Sequence, residues 1–476
     1  MLYSSYKQIK IYTGGIVLKK KKIIIIFIFV LVISGCSNKD IKNNKNGIHD
    51  KNLYNALLAI SGNDALFRDD FVGETELNLW NLNISTIEGL DKLNLSDVKK
   101  LNLGENNIVS INSKSLEGLK NLEKLELYYN NMEKISLENL NKLKELDLSG
   151  SNFKNPNDIQ IQNLNSLEEL LLDEALYFQL EKGLFKGLSS LKYIYLNNNE
   201  IKSIKNNTFN GLTKLERITA HTSKINNIEP YAFAGAVSLN ELELSNNQLK
   251  SFNVSDISNL KKLNLSFNSI SSLLDISFTS FPDIQELNLH DNGIEQIDKN
   301  DFKNATDLKI LILERNLLSE LPSDAFLYLN SLEQLSIGRN NIAKLPSSIF
   351  LNLSSLKRLY LHENKLTQFS NKYIEELVNL VYLDLFFNEI EYIDDNAFKG
   401  IENLQYLNIR KNKLTSLPSL KNLINLKSKD FHNGDYYMTT SFTENQLTKD
   451  DFISSLPDQL LSDEKWLELQ ISLQNN

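Results

Sequence analysis

One short pattern recurs at nearly constant spacing through most of the chain. It is a triplet of aliphatic, variable and aliphatic residues, and its first member can be placed on a single ruler at fifteen positions. Twelve of the fourteen intervals are 24 residues long and two are 21. Such a register predicts stacked structural units, each in contact with its neighbours. The anchors are Leu77, Leu101, Leu125, Leu146, Leu170, Ile194, Ile218, Leu242, Leu263, Leu287, Leu311, Leu335, Leu359, Leu383 and Leu407.

The alternation within each triplet predicts a short strand with its aliphatic side chains on one face. Successive copies are expected to stack as parallel strands about 4.8 Å apart. Parallel sheets usually have both faces covered. Here the residues between the aliphatic positions are mostly polar or aromatic, so one face of the sheet is predicted to be open.

Two further columns follow the anchors at fixed distances. A carboxamide can donate and accept hydrogen bonds at once, so asparagines five residues after the anchor are predicted to satisfy turn backbone groups. They are Asn106, Asn130, Asn199, Asn247, Asn268, Asn292, Asn316, Asn340, Asn364, Asn388 and Asn412, with Leu82, Ser151, Ala175 and Ser223 as exceptions. Phenylalanines fifteen residues after the anchor are predicted to fill the core behind the sheet. They are Phe185, Phe209, Phe233, Phe278, Phe302, Phe326, Phe350 and Phe398.

Together these columns resemble the leucine-rich repeat family. Segments such as "LEQLSIGRNNIAKLPSSIF" from Leu332 match its 24-residue pattern LxxLxLxxNxLxxLPxxxFxxLxx, over about three-quarters of the chain. The resemblance implies an α/β solenoid, a horseshoe of about 15 repeats with a parallel concave sheet and helical caps.

Terminal repeats need caps, because their apolar stack would otherwise face water. "IHDKNLYNALLAI" at 48–60 has a helical apolar pattern and resembles the cap that begins internalin-like proteins. At the other end, Thr448 and Asp451 form a predicted capping box before an apolar helical pattern. We therefore predict an N-terminal cap at 50–73, repeats at 74–427 and a C-terminal cap at 428–476.

The N-terminal segment predicts export. Four lysines precede eleven apolar residues, Ile23 to Ile33, which is short of the roughly 20 needed to cross a bilayer. This arrangement indicates a secretory signal peptide at 1–35. "ISGC", ending at Cys36, resembles a bacterial lipobox, which implies that Cys36 carries diacylglycerol and palmitate. The alternative is an ordinary signal peptide that ends near a cysteine. Polar residues 36–49 are predicted to be a flexible tether.

Charge and cysteine content exclude several functions. Residues 1–35 carry six lysines and no acidic residue, so their removal takes the formal charge from −9 to −15. An acidic chain repels phosphate backbones, and we expect no nucleic-acid partner. Cys36 is the one cysteine, so disulfides within the chain and a cysteine nucleophile are ruled out. The predicted location is a bacterial cell membrane or outer membrane, held by lipid and exposed at the surface.

Three of the five histidines fall in one column, three residues after an anchor. His221, His290 and His362 are each separated by three strands, about 14 Å at parallel spacing. This separation predicts that they share no metal ion. No catalytic triad or phosphate loop is recognisable, so we predict a non-enzymatic protein whose one cofactor-like group is the lipid on Cys36.

Large aromatic and arginine side chains on the predicted open face are candidates for ligand binding, because these residue types are enriched at binding hot spots. The alternative is that aromatic residues favour strands and pair across them without a partner. An acidic region toward the N-terminal half comprises Glu145, Asp147, Glu169, Asp173 and Glu174. The candidates are Trp80, Tyr128, Tyr129, Tyr193, Tyr195, Tyr360, Tyr382, Phe386, Phe387, Tyr406, Arg315, Arg339, Arg358 and Arg410.

The function that these features predict is a surface-anchored scaffold that binds a protein or glycan through its concave face. The resemblance to internalin-like proteins implies adhesion or invasion of host cells. The alternative is a structural envelope protein that binds another bacterial component. The sequence does not separate these two hypotheses.

Overall fold

The computed structural model describes residues 39–430 and 438–472. The described residues from Asp40 onward belong to one compact unit. Cys36 and the predicted signal peptide lie outside the described residues. In the part that is described, no helix combines the length and the apolar character that a membrane span requires.

The main sheet contains fifteen parallel strands of three residues each, ordered along the sheet as they are along the chain. They are β1 Glu76–Asn78, β2 Lys100–Asn102, β3 Lys124–Glu126, β4 Glu145–Asp147, β5 Glu169–Leu171, β6 Tyr193–Tyr195, β7 Arg217–Thr219, β8 Glu241–Glu243, β9 Lys262–Asn264, β10 Glu286–Asn288, β11 Ile310–Ile312, β12 Gln334–Ser336, β13 Arg358–Tyr360, β14 Tyr382–Asp384 and β15 Tyr406–Asn408. The predicted α/β solenoid of the leucine-rich repeat type is confirmed.

The anchors predicted from the sequence pair directly with one another across the sheet. Leu77 lies opposite Leu101, and the same register continues to Leu407. It also holds across the two 21-residue repeats, where Leu125 pairs with Leu146 and Leu242 with Leu263. The three missing residues are therefore absorbed outside the sheet, so the hydrophobic column is unbroken.

Short elements line the opposite side of the solenoid. Three short parallel sheets form there. In the first, Lys134–Ser136 lies between Ser110–Ile111 and Ile159–Gln160. The other two are the pairs Ser203–Ile204 with Asn227–Ile228 and Gln368–Phe369 with Tyr392–Ile393. Single 3₁₀ turns are Leu90–Lys92, Ser113–Leu116, Pro156–Asp158, Leu273–Asp275, Phe278–Ser280 and Asn371–Tyr373.

The predicted phenylalanine column is buried between the two sides. The ring centroids of Phe185 and Phe209 are 5.5 Å apart, and those of Phe209 and Phe233 are also 5.5 Å apart, with nearly parallel planes. Phe302, Phe326 and Phe350 continue the stacking. These rings fill the core behind the sheet, as predicted.

The asparagine column ties each repeat to the one before it. Asn316 Nδ2 donates to the carbonyl oxygens of Leu313 at 3.0 Å and Leu289 at 2.9 Å, and its Oδ1 accepts from Ile294 N at 3.0 Å. Since Leu289 and Ile294 belong to the preceding repeat, one buried carboxamide bridges two coils. At the exceptions the bridge is reduced. Ser223 Oγ still reaches the Leu196 carbonyl at 2.6 Å, whereas Ala175 has no side chain that can do so.

Helix α1, Lys51–Ser61, covers the N-terminal end. Asp50 caps it: one carboxylate oxygen accepts from Leu53 N at 2.9 Å and the other from Ser85 N and Oγ at 2.8 and 2.6 Å. These hydrogen bonds join the helix to the first repeat. Burial acts to raise the pKa of Asp50, but these hydrogen bonds outweigh it and hold the pKa below its usual value.

The tether predicted at 36–49 is shorter than expected. Ile41 N donates to the Leu66 carbonyl at 2.6 Å, His49 N donates to the Glu88 carbonyl at 3.2 Å, and Ile48 is fully buried. Residues 40–49 therefore belong to the N-terminal cap. Their polar composition hid this, because the contacts are made mainly by the backbone and by one isoleucine.

The C-terminal boundary also differs from the prediction, because residues 440–447 form a further repeat turn. Ser441 pairs with Asn408 in parallel, and Asn445 Nδ2 donates to the carbonyl oxygens of Ile409 and Phe442. Thr440 stands at the anchor position. An insertion that contains an antiparallel pair, Lys429–Asp430 with Met438–Thr439, displaces it from the 24-residue spacing. The sequence "TSFTENQL" at 440–447 indicates this turn, because it keeps the asparagine of the repeat, but it has threonine in place of the leucine anchor.

Three helices close this end: α2 Lys449–Ser455, α3 Asp458–Leu461 and α4 Glu464–Ser472. Thr448 caps α2 as predicted, since its Oγ1 accepts from Asp451 N at 3.2 Å, but the Asp451 carboxylate accepts from the Thr448 hydroxyl at 2.6 Å in place of the reciprocal backbone bond of a capping box. Trp466 Nε1 donates to the Thr440 carbonyl, and Gln470 Oε1 accepts from Phe442 N. These side chains satisfy the backbone of the final turn, which would otherwise be an open sheet edge.

Replacement of Asn316 by alanine is expected to lower the free energy of unfolding by about 1–3 kcal/mol, because it leaves buried backbone groups of two repeats without partners. The measurement is urea denaturation followed by circular dichroism. Asn304→Ala, an exposed position in the neighbouring loop, is the control and is expected to change stability by less than about 0.5 kcal/mol. Equal effects of the two substitutions would contradict a bridging role for Asn316.

Candidate binding surface

Three side chains of each repeat face away from the core. Residues one before, one after and three after the anchor alternate with the buried aliphatic positions, so they point to the opposite face of the sheet. We call this surface the concave face. All the aromatic candidates lie on it or on the adjoining column, four residues after the anchor.

That adjoining column has an unusual backbone conformation. From Asn81 to Lys411 its non-glycine residues have φ between +50° and +58°, a region that bulky side chains seldom adopt. Tyr129, Phe267 and Phe387 nevertheless occupy it and are about half exposed. The column was not recognised from the sequence, because few of its residues are glycine or asparagine.

The N-terminal aromatic candidates are accessible. Tyr128 and Tyr129 meet edge to face with ring centroids 6.1 Å apart, and 55% of Tyr129 is exposed. A Cβ atom at Gly104 would lie 2.4 Å from the Tyr128 ring, and one at Gly150 would lie 2.4 Å from the Tyr129 ring. The two glycines therefore leave space for the two rings. Trp80, on the first repeat, is also exposed.

Tyr193 and Tyr195 stand on β6, beside the acidic region. Tyr193 Oη donates to Glu216 at 3.3 Å. Burial raises the pKa of both Asp147 and Asp173. Part of the acidic region is therefore half-buried in the sheet surface.

The C-terminal tyrosines come together, but two of them are not accessible. The ring centroids of Tyr382 and Tyr360 are 5.0 Å apart, and those of Tyr382 and Tyr406, which both precede an anchor by one residue, are 6.3 Å apart. However, Tyr382 is only 7% exposed and Tyr406 only 3%. Their prediction as ligand-contacting residues is therefore wrong for the free protein, because the rings pack on one another. Tyr360 remains half-buried.

Phe386 and Phe387 form the most exposed aromatic pair at this end. Their centroids are 5.8 Å apart, and 54% of Phe387 is exposed. The ammonium group of Lys411 lies 5.8 Å from the Phe386 centroid and 5.6 Å from that of Phe387, within cation–π range. The Arg410 guanidinium lies 5.9 Å from the Phe386 centroid. We call these four residues the aromatic–cationic patch.

The four arginine candidates do not form one cluster. Arg315 pairs with Asp291 at 2.8 Å, Arg339 with Glu363 at 2.8 Å, and Arg410 with Glu444. Each acid comes from an adjacent repeat, so these charges are neutralised along the solenoid. Arg358 makes no ion pair with another described residue.

Two of the histidines lie beside carboxylates of the next strand. His290 Nδ1 is 3.7 Å from Glu314 Oε2, and His362 Nδ1 is 3.7 Å from Asp384 Oδ2. Asp384 also accepts from Phe386 N at 3.0 Å and from Tyr382 Oη at 3.4 Å. This histidine–acid cluster was not predicted, since each pair joins residues 22 to 24 positions apart.

The two carboxylates of this cluster have opposite pKa shifts. Burial raises the pKa of Asp384. For Glu314, burial acts in the same direction, but the hydrogen bond to His290 and the charges of His290 and His362 outweigh it and lower the pKa. Gly338 lies between Glu314 and His362 in the column three residues after the anchor, and a Cβ atom there would be 2.6 Å from the His362 ring. The glycine allows that ring to lie over the sheet.

No three potential metal ligands come together within the described ranges. His221 contacts the neighbouring hydroxyl of Thr222 at 3.3 Å.

Replacement of Asp384 by asparagine is expected to stabilise the protein at pH 7. Because the folded-state pKa of this carboxyl lies above the unfolded value, folding favours its protonated form, and its ionisation at higher pH opposes folding. The stabilisation should diminish as pH falls through the folded-state pKa. Thermal unfolding between pH 4 and 8 provides the measurement, with the exposed Asp395→Asn as control. A lower melting temperature of Asp384→Asn at pH 7 would contradict this assignment.

Comparisons with known proteins agree with this geometry. A leucine-rich repeat family model matches residues 75–132, 165–225, 220–270, 258–318, 282–342 and 330–390, and a BspA-type leucine-rich repeat model matches 375–456, which includes the additional turn at 440–447. No curated protein matches the sequence.

Several solved structures share the fold. An internalin (inlF) from Listeria monocytogenes is 22% identical, with a TM-score of 0.53 over 78% of this chain and 98% of its own. Toll, in its Drosophila complex with Spatzle, is 22% identical, with a TM-score of 0.60 over 72% of this chain, which spans 48% of Toll. The plant peptide hormone receptor RGFR1, in complex with RGF2, is 23% identical, with a TM-score of 0.52 over 78% of this chain and 63% of its own. Since the family model matches more than half of the sequence, the chain belongs to the leucine-rich repeat family.

Proposed function

We propose that this protein is an exported lipoprotein, anchored to a bacterial membrane through Cys36, that binds a protein partner with its concave face. The proposal assigns it an adhesin-like role at the cell surface and no catalytic activity. It has two separable parts, the binding surface and the anchor, which rest on different observations.

The aromatic–cationic patch is the observation that carries the binding part. Phe387 holds a bulky ring in a left-handed backbone conformation with half of its surface in water. Such a residue stabilises the free protein little, whereas aromatic and arginine side chains are typical of binding hot spots. Lys411 and Arg410 lie beside the rings, and both also pair with Glu444, so the patch favours a partner that presents an apolar surface.

The structural relatives support a polypeptide as the partner. Toll is described in a complex with Spatzle and RGFR1 in a complex with RGF2. Both relatives share the solenoid but less than a quarter of the sequence, so the partner of this chain is inferred from its own surface. A glycan is the alternative ligand, and the half-exposed tyrosines Tyr128 and Tyr195 favour it.

The anchor part rests on the segment that ends at Cys36. The lysines, the eleven apolar residues and the small residues before the cysteine have the order expected of a lipoprotein signal. Acyl chains would hold the protein at about 0.8 kcal/mol per buried CH₂ group. A second candidate function, a structural envelope protein that binds another bacterial component, uses the same anchor and differs only in the partner.

Combined replacement of Phe386 and Phe387 by alanine is expected to reduce binding to cultured animal cells at least tenfold, because the central hydrophobic contact is lost. Fluorescent vesicles that carry the full-length protein provide the signal in flow cytometry. Tyr392→Ala is the matched control, since this tyrosine is equally exposed but lies on the opposite side of the same repeat. Unchanged binding of the double variant, or no binding by the unmodified protein, would refute the adhesin role.

Cys36→Ser is expected to move most of the protein from the membrane fraction to the soluble or secreted fraction, because the variant has no thiol to acylate. Metabolic labelling with a radioactive fatty acid should label the unmodified chain only. A control substitution, Ser37→Ala, should leave both properties unchanged. Persistent membrane association of an unlabelled Cys36→Ser variant would show that another feature holds the chain there.

A further inference from the structure

A pocket of about 410 Å³ lies where the N-terminal cap meets the first two repeats. One wall is the turn at 45–47 of the cap, and the others are the 3₁₀ turns Leu90–Lys92 and Ser113–Leu116. These 3₁₀ turns belong to the side of the solenoid opposite the concave face, so the pocket is separate from the surface described above. All of its lining residues are charged, polar or glycine, which suits a polar ligand.

The backbone of the cap lies directly on the first repeat at this pocket. His49 N donates to the Glu88 carbonyl at 3.2 Å. Gly89 has a φ of +95°, and a Cβ atom there would overlap the Gly47 carbonyl oxygen. Glycine permits both this conformation and this close approach. Main-chain contacts therefore fix the shape of the pocket, independently of its long surface side chains.

The two acidic groups of the pocket already have cationic partners. His49 Nδ1 is 2.6 Å from Glu88 Oε2, and Lys92 Nζ is 2.8 Å from Asp91 Oδ2. The other ring nitrogen of His49 is 2.9 Å from the Lys45 carbonyl oxygen. Both ring nitrogens thus face acceptors, and only the protonated imidazolium donates from both. In that form His49 neutralises Glu88, as Lys92 neutralises Asp91.

Two ammonium groups of the pocket remain. Lys45 lines it from the cap and Lys114 from the second repeat, and neither makes an ion pair with another described residue. Like charges that share a pocket repel each other, and an anion between them relieves that repulsion. The excess of positive charge is local, because residues 37–60 carry four lysines and two acidic residues, whereas 61–476 carry 41 basic and 58 acidic residues.

Neutral donors complete the lining. The carboxamides of Asn46 and Asn112 both contribute to it. Asn112 Oδ1 accepts from Ser115 N at 3.3 Å, so Nδ2 is the part of this carboxamide that remains to donate. A phosphate group offers at least three strong acceptor oxygens and can bind two ammonium groups and a carboxamide at once, whereas a carboxylate offers two oxygens. The donor set therefore favours phosphate.

We propose that this pocket binds a phosphate-bearing anion between Lys45 and Lys114, with Asn112 Nδ2 donating to a further phosphate oxygen. Lysine is a common phosphate ligand, since its ammonium group acts as a point charge. The volume is within the range of small-molecule sites and leaves space for a polar substituent such as glycerol. Two sources share this chemistry, the headgroup of an anionic phospholipid and a soluble phosphate ester.

The phospholipid source rests on the proposed anchor, whereas the pocket itself does not. The four peptide steps from Cys36 to Asp40 span at most about 14 Å, so an acylated Cys36 would keep the N-terminal cap at the membrane surface. Phosphate headgroups would then be within reach of the pocket. A basic site beside an acyl chain is a known second signal for stable membrane attachment.

The test is isothermal titration calorimetry of the detergent-solubilised full-length protein with monomeric probes, for which the anchor is irrelevant. The probes are glycerol 3-phosphate and dihexanoyl phosphatidylglycerol below its critical micelle concentration. At least fivefold tighter binding of the lipid identifies the headgroup as the ligand, and equal binding identifies the soluble ester. Dihexanoyl phosphatidylcholine, whose headgroup adds a positive charge, is expected to bind at least fivefold more weakly than phosphatidylglycerol.

Combined replacement of Lys45 and Lys114 by glutamine is expected to weaken binding of the tighter probe at least tenfold, because both ammonium contacts are lost. The matched control is the combined replacement of Lys303 and Lys344 by glutamine. It changes the net charge equally, at two exposed lysines of later repeats, and is expected to change binding less than twofold. All four side chains are exposed, so neither double variant should alter folding.

Three outcomes would refute the inference: no binding of either probe, equal binding of phosphatidylcholine and phosphatidylglycerol, or equal losses in the two double variants. These outcomes are independent of the proposed function, which fails instead if Cys36 is not acylated or if cells are not bound. If Cys36 is acylated and neither probe binds, the pocket assignment alone fails. If the probes bind a chain that is not acylated, the pocket stands and the anchor does not.

Discussion

The bridge made by a buried asparagine carboxamide is the interaction on which the solenoid depends. Each turn out of the sheet leaves backbone N–H and C=O groups inside the molecule, where water does not reach them. One carboxamide satisfies carbonyl oxygens of its own repeat and of the preceding one, and it accepts from an N–H of the preceding repeat. Its geometry therefore fixes the position of each coil relative to the last. Ser223 preserves part of this bridge. At Ala175 the backbone N–H donates to Asn199 Oδ1 at 2.8 Å and the carbonyl accepts from Phe153 N at 3.0 Å, but no side chain of this position completes the bridge.

A consequence of this bridge is that the sheet has one face free. The aliphatic anchors, the asparagines and the phenylalanines all lie on one side, so selection for folding constrains few residues of the concave face. The charges there are largely neutralised by neighbours one repeat away, as with Lys262 and Glu286. Against this background, an exposed Phe387 is a departure from what stability favours. Local rules are most often broken at functional sites.

The two ends show how a solenoid stops. At the N-terminus, Asp50 caps a helix and binds the first repeat with the same carboxylate. At the C-terminus, Gln470 and Trp466 hydrogen-bond to the backbone of the last turn, as a further repeat would. Both ends satisfy the backbone with side chains because no neighbouring coil is available. The N-terminal cap includes residues 40–49, so three residues of the sequence lie between Cys36 and the cap.

The sequence by itself determined the repeat register, the fifteen strands, the asparagine and phenylalanine columns and the helix N-cap at Thr448, because each depends on residue type at a fixed spacing. It also placed Tyr382 beside Tyr406. Tertiary structure alone decided that these rings are buried, that Arg315 and Arg339 are neutralised, and that Thr440 begins one more turn after an insertion. Accessibility and pairing depend on side-chain directions and on contacts between different coils, and linear spacing does not encode them.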